Sequence, residues 1–313
     1  GGRTPKEPGL VNGALVQNDA LAWLRRQPSG LADALVTDPP AGPQGAARPA
    51  WTAWTAWLAE VFLEARRALR PGAAGFVRAT VQRSHWTATA CEKAGFEVRD
   101  VLTHVAGTVE RGMTTEHWIL LRAPAPGPLL NLRIDDCRVP GAVERPGGMI
   151  RRSRHFDRGR DDETLTSPPD PHPAGRWPAN FVLSHAPECG PHGVRSVEDC
   201  AAGCLVKVLG EQSGSRTSAR KRILVKGRSG GIMGKQGGDR DYIGGFDDAG
   251  TAARFFHCYP AASAALLLRQ HLCRLVTPPR GLVLDPFPRS GTTAAAARAE
   301  GLRLASPPEG VMP

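Results

Sequence analysis

The sequence predicts an α/β protein whose open sheet is split by a long basic insert. Three observations carry that expectation. Short apolar runs alternate with segments of helical period through residues 14–122, the pattern of strands joined by helices. The same character returns at about residue 252, after a middle stretch rich in Gly, Pro and Arg. Finally, two apolar runs end on Asp-Pro: Leu35-Val36-Thr37-Asp38-Pro39-Pro40 near the start and Val283-Leu284-Asp285-Pro286-Phe287 near the end.

In chain order, residues 14–16 read as a short strand, then Asn18-Asp19, then a helix over 20–26 with Leu21, Trp23 and Leu24 on its apolar side. Residues 32–36 form a buried strand that stops at the double proline. Beyond a Gly/Pro/Ala loop, Trp51, Trp54, Leu58, Val61, Ala65 and Leu69 recur at three- and four-residue steps, which makes the clearest helix of the chain. That period makes the tryptophans core side chains rather than a stacking surface. Pro71-Gly72 ends this helix. Strands follow at 75–79, 96–105 and 116–122, with a helix at 85–94. Residues 141–173 and 213–250 show no period. The first carries Arg151, Arg152, Arg154 and Arg158, and the second Arg220, Lys221 and Arg222 among glycines. A helix at 262–276, the turn Pro278-Pro279-Arg280-Gly281, a strand through Val283-Leu284 and a small-residue helix at 294–299 close the chain.

Composition narrows the partners. With 313 residues and 41 % hydrophobic content the chain can bury a sizeable core. No apolar run approaches the roughly 18 residues of a membrane span. Forty Lys and Arg against 30 Asp and Glu leave +10, which favours a polyanion, nucleic acid before membrane. Seven cysteines, an odd and scattered set, do not make a disulfide framework. Residues 1–8 are polar and do not read as a signal peptide, so the expected location is cytoplasmic.

Asp-Pro-Pro at a strand end has mechanical content. Pro40 keeps Pro39 extended, and neither proline has an N–H to engage its neighbours. A carboxylate and nearby carbonyl oxygens can then present acceptors to one ligand, which suits an amino group with two N–H donors. Such a motif also serves as an ordinary strand terminator. The later loop, from Asp285 through Ser290-Gly291-Thr292-Thr293, turns from a strand into a helix N-terminus, where open α/β sheets hold small cofactors.

Together with Leu69-Arg70-Pro71-Gly72, these stretches resemble the S-adenosylmethionine-dependent DNA amino-methyltransferases. With the Asp-Pro-Pro motif first and the cofactor loop last, the order is similar to the circularly permuted β class. Leu130 to Pro140, Gly175-Arg176-Trp177-Pro178-Ala179-Asn180, Glu211-Gln212-Ser213-Gly214 and Arg254-Phe255-Phe256 resemble the phage and prophage branch. The resemblance implies a doubly wound, mostly parallel, Rossmann-like methyltransferase sheet. It implies a catalytic half at 9–125, a basic target-recognition insert at 126–250 and a cofactor-binding half at 251–313. Asp38, Pro39 and Pro40 would grip the target amine, adenine N6 before cytosine N4. Asp285, Phe287, Ser290, Gly291 and Thr292 would line S-adenosylmethionine, with Asp19 near its adenine. Arg151, Arg152, Arg154, Arg158, Arg176, Arg220, Lys221 and Arg222 would meet double-stranded DNA, with the target base flipped out.

The chain departs from that pattern at four places. Ala41 stands where the family has an aromatic residue for the flipped base, Arg289 where its cofactor loop has Gly, and Pro308 near the place of a ribose-binding acid. Tyr259-Pro260-Ala261-Ala262-Ser263 replaces a His-Pro-Thr-x-Lys-Pro segment. A weakened or inactive enzyme, a DNA-binding relative and an RNA methyltransferase therefore stay open. A separate constellation, His185, Cys189, Cys200 and Cys204 with His192 in reserve, has spacing that fits a zinc site or a set of free thiols. Cys91, Cys137, Cys258 and Cys273 read as core.

Overall fold

Strand side chains divide alternately between two hydrophobic cores, and that alternation builds the molecule. β1 (Ala32–Thr37), β2 (Leu69–Thr80), β3 (Glu97–Thr108), β4 (Gly112–Arg122), β5 (Phe181–Ser184), β6 (His257–Tyr259), β7 (Leu282–Leu284) and β8 (Arg303–Ala305) form one sheet. Their order is β6-β5-β3-β4-β2-β1-β7-β8, and neighbours are parallel except where β4 pairs with β2 and β3. The computed structural model describes residues 20–43, 45–126, 132–139, 174–190, 199–218, 221–225, 228–229, 235–236, 240–244 and 248–308, with backbone alone over 218–248.

Leu35, Val77, Ile119, Leu121 and Leu284 face one core, against α1 (residues 20–25), α2 (Arg48–Ala68) and α3 (Ser84–Lys93). Ala34, Val36, Phe76, Trp118, Leu120 and Val283 face the other, against α5 (Ala264–Val276) and α6 (Thr292–Ala299). Within each strand, successive residues fall in opposite sets, as the two-residue period of a strand requires. The sheet is therefore mostly parallel and covered on both faces, the predicted architecture. In α2, Leu58, Val61 and Phe62 are fully buried, each worth about 1.5–3 kcal/mol of transfer free energy.

Two connections set up the site. β1–α2–β2 and β7–α6–β8 each join parallel neighbours. The helix α5 starts after β6, at one edge of the sheet, and delivers the chain to β7 beside β1. It packs on β1 and β2, burying Leu268, Leu272 and Cys273.

The differences from expectation are local. Helix α2 ends at Ala68, and β2 begins at Leu69 rather than after Pro71-Gly72. Pairing jumps from Ala32↔Leu69 to Ala34↔Ala74, so the proline and glycine form an excursion inside the strand. Gly72 sits there at φ 79, with its N–H on the Ala123 carbonyl. Helix α6 starts at Thr292, two residues early, because Gly291 supplies the left-handed N-cap. Between residues 126 and 250, β5 joins the main sheet beside β3, and α4 (Leu205–Ser213) follows it. Three short antiparallel pairs come next: Arg216–Ser218 with Asp248–Gly250, Lys221–Val225 with Arg240–Gly244, and Arg228–Ser229 with Lys235–Gln236. The expected strand at 14–16, Asp19, Arg151, Arg152, Arg154, Arg158, His192 and Arg220 lie outside the described residues, as do the side chains of Lys221 and Arg222. No described helix is long and apolar enough to cross a membrane.

Candidate active site

The parallel pairing of β1 with β7 brings the two Asp-Pro strand ends to one edge of the sheet, at the carboxyl ends of its parallel strands. The Thr37 hydroxyl donates to Asp285 Oδ1 at 2.7 Å, and the Phe287 N–H donates to the same oxygen at 3.0 Å. Asp285 is only 1 % exposed. Burial pushes its carboxyl pKa up, opposed in part by the Thr37, Phe287 and Thr293 hydrogen bonds and by the charge of Arg269. This carboxylate ties the two loops together.

A cavity of about 230 Å³ opens at that junction. Asp38, Pro39 and Ala41 form one wall, and the loop from Asp285 to Thr293 forms the other. Arg78 and Arg269 complete the lining. Of the expected site residues, Asp38, Pro39, Asp285, Phe287, Ser290, Gly291 and Thr292 meet here. Pro40 does not line this cavity; it faces a smaller recess beside Trp51 and Trp54, and its carbonyl accepts the Gly42 N–H at 2.9 Å.

Two arginines already occupy part of the acceptor array expected at Asp38-Pro39-Pro40. Arg78 Nη1 lies 3.2 and 3.3 Å from the two Asp38 oxygens, and Arg269 Nη2 donates to Oδ2 at 3.1 Å. Arg269 is 7 % exposed, and its guanidinium lies 5.1 Å from the centre of a Trp118 ring. Arg78 also pairs with Glu116, which accepts from Trp118 Nε1 at 3.2 Å and pairs with His104 Nδ1 at 3.0 Å. His104 Nε2 in turn pairs with the Ser184 hydroxyl at 2.7 Å. Burial alone would raise the Glu116 carboxyl, but His104, Arg78 and Trp118 hold it at about 2. A polar row thus crosses the sheet edge from Ser184 through His104, Glu116 and Arg78 to Asp38 and Arg269. Sequence reasoning missed it. The available signal was a charged residue inside an apolar run: Arg78 in Phe-Val-Arg-Ala, Glu116 before His-Trp-Ile-Leu, and Arg269 after three leucines.

The departures resolve unevenly. Arg289 takes no left-handed backbone; Gly291, at φ 64, does, so the side chain of Arg289 on the cavity wall is its only imposition. Ala41 is exposed beside the cavity. Trp51 is 2 % exposed, fixed edge-on to Trp54 at 5.5 Å and stacked on Trp86 at 6.2 Å, so the tryptophan stripe is core as expected. Pro308 is exposed and lies outside the cavity lining. Arg176 pairs by backbone with Val139, and its guanidinium lies 4.2 Å over the Phe255 ring.

Farther along this edge, just past Ser184, His185, Cys189, Cys200 and Cys204 come together, all buried, with one ligand atom from each within 4.8 Å of the others. All seven cysteines are free. Cys91, Cys137 and Cys273 are buried core residues, and Cys258 is half-buried.

No family profile and no curated protein matches the chain. Among solved structures it is similar to the cytosine-N4-specific PvuII DNA methyltransferase, at 12 % identity and TM-score 0.47 over 94 % of this chain and 81 % of that one. It is also similar to a Thermus thermophilus protein described as a candidate DNA modification methylase, in complex with S-adenosyl-L-methionine. That match has 15 % identity and TM-score 0.46 over 92 % and 85 % of the two chains. The M1.HpyAVI complex with SAM gives 14 % identity and TM-score 0.41 over 96 % and 92 %.

Proposed function

We propose that the chain is an S-adenosylmethionine-dependent DNA methyltransferase of the circularly permuted β class, phage type, acting on an exocyclic base amine. The observation that carries the reading is the meeting of Asp38-Pro39 and the Asp285–Thr293 loop around one cavity, at the end of two adjacent parallel strands. The residues fit the cofactor. Buried Asp285, the hydroxyls of Ser290 and Thr292, and the first turn of α6, whose N–H groups lack intrahelical partners, suit the charged ends of an amino acid. Bound there, S-adenosylmethionine supplies an electrophilic methyl group. The cavity, at about 230 Å³, is smaller than the roughly 300–1,000 Å³ of ordinary ligand pockets, and Arg289 is one of the residues that line it.

Asp38 is the residue assigned to the target amine. An ionised carboxylate offers about four acceptor positions. Arg78 and Arg269 contribute three contacts, two of them on Oδ2, which leaves room on Oδ1 for an amine N–H. Accepting that N–H localises the nitrogen lone pair for attack, and the fixed geometry supplies the rest by positioning. Asp at the first motif position favours adenine N6 over cytosine N4 by family resemblance. The segment 126–250, with Arg151, Arg152, Arg154, Arg158, Arg176, Arg220, Lys221 and Arg222, is assigned to duplex DNA, in keeping with the net charge of +10.

A second reading, a DNA-binding relative that no longer transfers methyl groups, is favoured by the same two guanidiniums on Asp38. Transfer of labelled methyl from S-adenosylmethionine to unmethylated duplex DNA, with RNA in parallel, separates the readings. Wild type is expected to label DNA, and Asp38→Ala to lose at least a hundredfold. Undiminished transfer by the variant would remove Asp38 from catalysis. A wild type that binds DNA but never labels it would establish the second reading.

A further inference from the structure

We infer that His185, Cys189, Cys200 and Cys204 bind one structural zinc ion that clasps the root of the basic excursion at 214–250 to the edge of the sheet. The geometry is close to that of a bound ion. With Zn–S of about 2.3 Å and Zn–N of about 2.0–2.1 Å, tetrahedral angles place nitrogen and sulfur roughly 3.6 Å apart. His185 Nδ1 lies 3.4 Å from Cys200 Sγ and 3.7 Å from Cys204 Sγ. The four ligand atoms fall within 4.8 Å of one another, so a small contraction closes the site around a metal. Two of the sulfurs already accept backbone N–H groups, Cys204 from Ala186 at 3.4 Å and Cys189 from Ala201 at 3.3 Å. Such donors orient thiolate ligands and offset their charge. One imidazole with three thiolates in a closed, buried set is the ligand chemistry of structural zinc.

The surroundings show why this corner needs an ion. Its hydrophobic cluster consists of Leu183, Ala186, Val206, Ala253 and the three cysteines, with neither an aromatic nor an isoleucine among its buried members. A core that small gains little from burial, and a metal is a common substitute in such folds. The four ligands come from separate local elements. His185 follows β5, Cys189 ends a 3-10 turn, Cys200 precedes the next turn, and Cys204 caps α4. Cys204 also bridges to Thr108 at the tip of the β3–β4 hairpin. The basic excursion leaves from the end of α4 and returns through Asp248–Gly250, which pairs with Arg216–Ser218, while the Ala252 N–H reaches the Ser213 hydroxyl at 2.9 Å. Both ends of the excursion are thus anchored on the helix that the metal would hold.

Elemental analysis of the full chain, purified in reducing buffer without a metal-affinity step and passed through EDTA, tests this directly. One zinc per chain is expected. Cobalt exchange should give the intense visible bands of a tetrahedral thiolate site. Cys200→Ser and Cys204→Ser should each lose at least nine-tenths of the metal, while Cys273→Ser, buried in another core, should retain it. Because ligand variants can also unfold, wild type is titrated with a mercurial. Release of one zinc in step with modification of three thiols supports the site. Absence of metal, iron in its place, a disulfide among Cys189, Cys200 and Cys204, or full zinc in the Cys200→Ser/Cys204→Ser double variant would overturn it. None of these readouts depends on methyl transfer.

Discussion

Asp38 sits in a row of alternating charge, and its neighbours fix its orientation before any ligand arrives. Arg78 is shared between Asp38 and Glu116, so the position of one carboxylate depends on the other. The folded pKa of Glu116, about 2, lies below its ordinary 4.5. Its stabilisation is therefore present above pH 4.5 and is lost as pH falls from there toward 2. A shift of that size corresponds to a difference on the order of 3 kcal/mol at neutral pH. Urea unfolding of wild type and Glu116→Gln at stepped pH should show a gap of that order near pH 7, closing on the acid side. A gap that stays constant from pH 7 to pH 3 would mean that the row carries no such linkage. At this scale the sequence was partly legible. Asp38 and Asp285 stand out because each follows an apolar run and precedes proline. Arg78, Glu116 and Arg269 do not, because pairing partners up to 231 residues away determine that their charges converge.

The elements were readable where they were long and periodic, as in α2, and unreadable where tertiary pairing decided the outcome. Phe181–Ser184 is four residues in a proline-rich context, and pairing with β3 on one side and β6 on the other makes it a strand. The Leu69 strand start likewise follows from pairing with Ala32, which outweighs the Pro-Gly stop signal. Close approach of β1 and β2 sets the position of Asp38, and Gly75 permits it. A Cβ there would lie 2.7 Å from Leu35 Cβ and 2.8 Å from the Leu35 carbonyl oxygen. Backbone cannot yield as a flexible side-chain end can, so Gly75→Ala should cost about 1–3 kcal/mol. Thermal unfolding measures this, and a variant as stable as wild type would show that the two strands have slack.

For the whole molecule, the order of strands explains why residues 248 positions apart share a hydrogen bond. Helix α5 carries the chain back across the sheet face, so the last strands pair beside the first one and Thr37 meets Asp285. The sequence showed two strand ends with matching chemistry, and the family resemblance supplied the reason for joining them. The sheet provides the joint itself. Arg289 and the modest cavity are the features that most oppose cofactor binding, while Asp285 and the α6 N-terminus most favour it. Calorimetric titration of nucleic-acid-free protein with S-adenosylmethionine weighs the two most directly. The account predicts saturable binding with a micromolar Kd, competed by S-adenosylhomocysteine. No heat of binding up to millimolar cofactor would contradict it and leave the junction of β1 and β7 without its proposed ligand.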